Sequence, residues 1–138
     1  DRDKYRAQVE KWIGISSVVK VSEDDIAWLY PGQDDIELAQ KWVSEGVSVV
    51  VITRGADGIE GITSYGIVRV PSVKVDVVDT IGAGDTVGAV IAEAVKEIGL
   101  DELHDGALIV TLEKAARAAA LTCARKGAQP PTSKELNG

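Results

Sequence analysis

The run Val47-Ser48-Val49-Val50-Val51-Ile52-Thr53 limits this chain more than any other stretch. It is β-branched throughout and broken only by Ser48, so it lacks the alternation of a strand with one wet face. Such a run predicts a parallel strand buried on both sides, which needs helices above and below it. The surrounding sequence offers them. Tyr5, Val9, Trp12 and Ile13 have helical spacing over 5–13. Ser22 ahead of Glu23, Asp24 and Asp25 predicts an N-cap and an acidic first turn for a short helix over 24–29, stopped by Tyr30-Pro31-Gly32. Asp34 and Asp35 open a helix that carries Ile36, Leu38, Ala39, Trp42 and Val43 inward and ends at Gly46. Apolar Val18 to Val21 is a further strand.

Downstream of the central run, Arg54-Gly55-Ala56-Asp57-Gly58 is a turn, and 59–63 and 67–70 flank Ser64-Tyr65-Gly66 as a hairpin. Pro71 ends the hairpin, and Val73 to Val78 alternates like another strand. Helices are expected over 84–98, closed by Gly99, and over about 107–125. The element order is α-β-α-α-β-β-β-β-α-α. The fold class is α/β, a three-layer sheet with flanking helices and a β-hairpin excursion. No repeat, linker or low-complexity tract divides the 138 residues, so one domain is expected.

Composition narrows function mainly by exclusion. A net charge of −7 argues against nucleic acid or an anionic membrane surface as partner. No apolar run is long enough to span a bilayer. The single cysteine, Cys123, has no partner for an internal disulfide and fits a reducing, cytoplasmic setting. The start at Asp1 and the lack of Met and Phe are read as those of a fragment, or of a sequence with residues altered or unlisted. His104, the only histidine, reads as a surface residue, Cys123 as a small core residue, and Trp12, Trp28 and Trp42 as core or domain-edge packing.

The chemistry concentrates in Asp79-Thr80-Ile81-Gly82-Ala83-Gly84-Asp85-Thr86. A small-residue turn at a helix start directs successive backbone N–H groups, and the positive end of the helix dipole, at one spot. Glycines let an anion approach the backbone. Asp85 beside that nest suits proton abstraction from a hydroxyl while the nest holds a transferring phosphoryl group. Two other readings stay open from the residues alone. Gly82-x-Gly84-x-x-x-Gly88 is a loose dinucleotide fingerprint, with 107–112 as second strand and Glu113 as the ribose acid, although Asp85 would then face a pyrophosphate. The segment could also be a plain tight turn.

The 79–89 stretch resembles the C-terminal signature of the ribokinase-like (PfkB) sugar kinases, which transfer the ATP γ-phosphoryl group to a sugar hydroxyl. The resemblance makes Asp85 the base and Gly82, Ala83 and Gly84 the anion hole. Val87 stands where the family usually has Phe. Ser22 and Asp25 resemble, with altered residues, the family's Asn-x-x-Glu motif for Mg²⁺ and phosphate. Thr53, Arg54, Gly55 and Gly58 resemble its Thr-x-Gly-x-x-Gly nucleotide loop. Arg125-Lys126-Gly127-Ala128 resembles its C-terminal Arg-x-Gly-Ala segment. That segment implies a monovalent cation, K⁺, held by backbone carbonyls of Asp79, Ile81, Thr122, Arg125 and Gly127. Ala116 matches the position where the family often touches adenine with Asn or His.

The chain resembles the C-terminal half of that fold, with an N-terminal sugar-binding half absent. The resemblance implies ATP, Mg²⁺ and a small-molecule sugar as ligands, and phosphorylation of a sugar hydroxymethyl group. Within the family the chain looks most like bacterial fructokinases, with ribokinase and 2-keto-3-deoxygluconate kinase next. A nucleotide-binding or assembly module without turnover is the alternative of another class. An uncovered sheet edge would allow a homodimer.

Overall fold

The computed structural model describes residues 1–127 and 129–137. Ala128, the last residue of the Arg-x-Gly-Ala match, lies outside them. The central run forms β2 (Val49–Thr53), paired in parallel with β1 (Val18–Ser22). β3 (Ile59–Thr63) and β4 (Gly66–Val70) follow as an antiparallel hairpin, giving a mixed sheet in the order β1-β2-β3-β4.

β2 is buried on both faces, as its composition predicts. Val49 and Val51 enter one core, and Val50 and Ile52 the other. The first core is closed by α4 (Ala83–Ile98) and α5 (Asp105–Cys123), through residues such as Val87, Ile91, Leu108 and Leu112. The second is closed by α1 (Arg2–Ile13), α2 (Glu23–Leu29) and α3 (Asp35–Ser44), through Ile13, Ile26, Leu38 and Trp42. Each fully buried Val or Ile of β2 contributes roughly 1.5–3 kcal/mol relative to exposure. A short α6 (Ser133–Asn137) lies where only a tail is expected.

The caps follow the sequence. Ser22 Oγ accepts from Asp25 N–H at 3.1 Å, and the Asp34 carboxylate from Glu37 N–H at 2.9 Å. Two expectations need correction. Residues 73–78 form no strand, and Val77 and Val78 are more than 60% exposed. Alternation makes a segment extended, but a strand needs a ladder, and this segment leaves the sheet for the end of α5 instead. Residues 107–112 are helical within α5. That removes the second parallel strand of the dinucleotide reading, and with it Glu113 as a ribose ligand. Of the three tryptophans expected as core or domain-edge packing, Trp42 is core, edge-on to Tyr30 at 6.0 Å, and Trp12 and Trp28, each 52% exposed, keep the edge reading. His104 is half-buried and stacks on Tyr65 of the β3–β4 turn at 3.9 Å.

Candidate active site

The carboxyl ends of the parallel strands place the first group of residues. Ser22 and Thr53, the last residues of β1 and β2, are direct partners in the ladder. The Ser22 hydroxyl caps α2, whose first turn carries the exposed Asp25. Beyond Thr53 the chain turns through a single 3₁₀ turn (Gly55–Asp57). Its two glycines differ. Gly58, at φ +98°, is packed so tightly that a Cβ would lie 2.1 Å from the Val70 carbonyl oxygen. Gly55, at φ +53°, has open space beside it, where a ligand could reach the backbone.

Arg54 is committed elsewhere. Its guanidinium binds Asp35 through two bonds of 2.6 and 2.9 Å, Glu60 at 2.7 Å and Glu23 at 3.2 Å. The bond from Arg54 holds the Asp35 carboxyl below the usual carboxylate range, and the three carboxylates push the guanidinium higher still. Arg54 ties the nucleotide-type loop to the starts of α2 and α3. A phosphate would have to displace a carboxylate to reach it.

The second group sits at the head of α4. Gly82 adopts the left-handed conformation, φ +85°, as N-cap, a position that favours glycine. Its carbonyl accepts from Thr86 N–H and from the Thr86 hydroxyl, both at 2.9 Å. Ala83 N–H closes back on the Thr80 carbonyl at 3.3 Å. Among the described residues the N–H groups of Gly82, Gly84 and Asp85 have no acceptor. The Asp85 carboxylate is exposed. The nest thus offers three N–H groups, with Ala83 turned toward its own loop.

The loop before α4 hangs from α5. Val78 and Asp79 N–H both donate to the Cys123 carbonyl, at 2.8 and 3.0 Å. The Asp79 carboxylate accepts from Ile81 N–H at 2.9 Å and Gly127 N–H at 3.0 Å. Thr86 and Thr122 meet at 3.0 Å between the two helices. Arg125 reaches the carbonyls of Gln129 and Pro130. Asp79, Ile81, Thr122, Arg125 and Gly127 are therefore neighbours through a chain of hydrogen bonds. Thr122 and Gly127 carbonyls already accept from Arg125 and Gln129 N–H, but each retains a second lone pair. The uncharged oxygens of this set fit a weakly hydrated monovalent cation. Ala116 is buried in the α4/α5 core and presents only a methyl.

Lys20 joins the two groups, and no motif in the sequence assigns it a role. Its register partner is Val51, so it points to the α4 side of the sheet, and a Cβ on Gly84 would come within 3.0 Å of its Nζ. The available signal was a lone lysine inside an apolar strand, two residues before the capping serine. Among the described residues no three His, Cys, Asp or Glu side chains converge on a metal site. One carboxylate, Asp25, with the Ser22 hydroxyl fits Mg²⁺, which keeps several waters and takes its other ligands from phosphates.

Residues 1–135 match the family described as pfkB family carbohydrate kinase. The chain belongs to that family. Among the relatives of this pfkB-family chain, a fructokinase from Rhizobium leguminosarum bv. trifolii is 37% identical over 116 residues, covering 84% of this chain and 35% of the relative. A fructokinase variant from Vibrio cholerae O395, solved with fructose, ADP and potassium ion, superposes with a TM-score of 0.83 at 26% identity, over 97% of this chain and 44% of that one. Aminoimidazole riboside kinase from Salmonella enterica, solved with aminoimidazole riboside and an ATP analogue, gives 0.83 at 25% identity, over 99% of this chain and 46% of that one. The pfkB-family chain thus spans less than half the length of these relatives. No helix among its described residues is long and apolar enough to cross a membrane.

Proposed function

We propose that this chain is the nucleotide-side, phosphoryl-transferring C-terminal portion of a three-layer ribokinase-like kinase, and that the parent enzyme uses ATP and Mg²⁺ to phosphorylate a sugar hydroxymethyl group. The observation that carries this is one cluster: unpaired N–H groups of Gly82, Gly84 and Asp85, the exposed Asp85 carboxylate, and the Lys20 ammonium beside Gly84. Positive potential for three phosphoryl oxygens and a base for one hydroxyl proton are what such a transfer needs, with no covalent intermediate.

Asp85 takes the proton of the attacking hydroxyl. Gly82, Gly84 and Asp85 N–H groups, with Ala83 completing the turn, hold the oxygens of the γ-phosphoryl group. Lys20 adds a full charge on the sheet side. Thr53 and Gly55 line the approach of the nucleotide, and Gly58 closes the turn behind them against the Val70 carbonyl. Ala116, buried in the α4/α5 core, offers adenine no polar partner. Ser22 and Asp25 would hold Mg²⁺, which supplies charge neutralisation between the terminal phosphates when bound. The carbonyls of Asp79, Ile81, Thr122, Arg125 and Gly127 would hold K⁺ behind the nest.

Fructose is the substrate favoured by the fructokinase relatives, with ribose and 2-keto-3-deoxygluconate as the competing acceptors. Since the chain spans less than half of those relatives, a nucleotide-binding module without turnover of its own is the second reading. Asp85→Asn in the full-length enzyme should lower kcat by about 10²–10⁴ and leave ATP affinity nearly unchanged. A variant with near-normal kcat would remove Asp85 as the base.

A further inference from the structure

We propose that Thr86 and Thr122 are positioning residues, a two-hydroxyl relay that fixes the Gly82–Ala83 peptide and so sets the aim of the amides at the head of α4. The inference rests on the phosphoryl-transfer reading of that nest. Both threonines are buried, Thr86 at 6% and Thr122 at 0% exposure. They face each other between α4 and α5, helices whose packed core carries Val87, Val90 and Ala118, and an apolar side chain of the same size there would bury no hydroxyl. Each could satisfy itself on its own helix. Thr122 reaches the Ala118 carbonyl at 3.0 Å, as Thr86 reaches that of Gly82 at 2.9 Å. They also reach each other at 3.0 Å.

Counting protons gives this arrangement a direction. Two hydroxyl protons serve three contacts, so one contact always lacks a proton. If Thr122 donates to Thr86 and Thr86 to the Gly82 carbonyl, the contact without a proton is the one to Ala118. That carbonyl lies mid-helix in α5 and keeps its backbone bond. The opposite direction leaves the Gly82 carbonyl with the Thr86 N–H bond alone, at a helix end held at φ +85° with no side chain to restrain it. Donation by both hydroxyls to their own carbonyls would leave two oxygens facing at 3.0 Å with no proton between them. The proposed relay runs from α5 into the nest, each bond strengthening the next. The Gly82–Ala83 peptide is planar and trans. Holding its carbonyl inward turns Ala83 N–H the other way, onto the Thr80 carbonyl. With this peptide fixed at both ends, the N–H groups of Gly84 and Asp85 follow in a set direction.

Thr122→Val keeps the shape and deletes the donor, whereas Thr122→Ser keeps the donor and deletes a methyl. In the full-length enzyme, Thr122→Val should lower kcat by about tenfold or more, since misplacement on the order of 1 Å can cost about 10²-fold. KM for ATP and for fructose should stay within about twofold of wild type, and Thr122→Ser should recover most of the lost kcat. Thr122→Ala serves the same comparison with Thr122→Ser if the valine variant does not fold. Unchanged kcat in the variants without the hydroxyl would overturn the relay. So would serine and valine variants that lose kcat alike, in step with their melting temperatures. Asp85→Asn run alongside separates the two claims. If it keeps its kcat, the nest chemistry itself falls. If it loses kcat while Thr122→Val does not, only the relay falls.

Discussion

Arg54 shows how one side chain organises several segments. Asp35, Glu60 and Glu23 surround it, and Arg69 lies 3.3 Å from Glu60 on the outer side. Because Arg54 holds the Asp35 carboxyl below its ordinary value, the unfolded chain binds more protons than the folded one at mildly acid pH. Stability from this pair is therefore complete above the unfolded value, about pH 4, and is lost as pH falls through the folded one. Melting curves from about pH 6 down to about pH 2 should show a steep acid loss in the wild type. Asp35→Asn should start lower and fall less steeply. The glycines after Arg54 make a second contrast. Gly58→Ala puts a Cβ 2.1 Å from a backbone oxygen at φ +98° and should cost at least about 2 kcal/mol in urea unfolding, beyond left-handed strain alone. Gly55→Ala, in open space, should cost only about 1–2 kcal/mol.

Among the elements, α5 governs the site more than the sheet does. It receives Val78 and Asp79 on its last turn, and Asp79 then bonds forward to Ile81 and across to Gly127. Asp79→Ala removes both acceptors and should weaken Mg·ATP binding by about tenfold or more, read by titration calorimetry, since each lost charged hydrogen bond is worth about 1.5–3 kcal/mol. Asp79→Asn keeps one acceptor oxygen and should fall between. These relations also explain what the sequence made legible. β2, its two-sided burial, the hairpin and the helix caps follow from local pattern, because burial on both faces and N-capping leave marks within a few residues. The strand expected over 73–78 failed because a ladder partner is a long-range matter. Lys20 was hidden for the same reason, since its relation to Gly84 exists only once β1 and α4 come together. Arg54 looked available because Asp35, Glu60 and Glu23 lie 6 to 31 residues away in sequence.

At the scale of the molecule, two cores share one four-stranded sheet, and the turn before Asp85 meets it at Lys20 of the edge strand β1. The chain carries the turn and loop proposed to hold phosphate and nucleotide but spans less than half of its relatives. Holding two reactants in line can supply about 7–11 kcal/mol of a barrier, and a chain that binds only one forfeits most of that. The 138-residue chain should therefore bind Mg·ATP weakly in titration calorimetry and phosphorylate neither fructose nor ribose in a coupled assay. Robust turnover would place the acceptor site within these residues, or within a dimer of them. The stretch from Pro71 to Val77 takes part in no ladder, and is tied down by Ser72 to the Ala56 carbonyl at one end and, just past it, by Val78 to Cys123 at the other. It is a tether, and a tether's length is adjustable at small entropic expense. An engineer could lengthen it, cut it to make new termini, or thread a reporter domain into it, and the turn at the head of α4 would stay in register with α5.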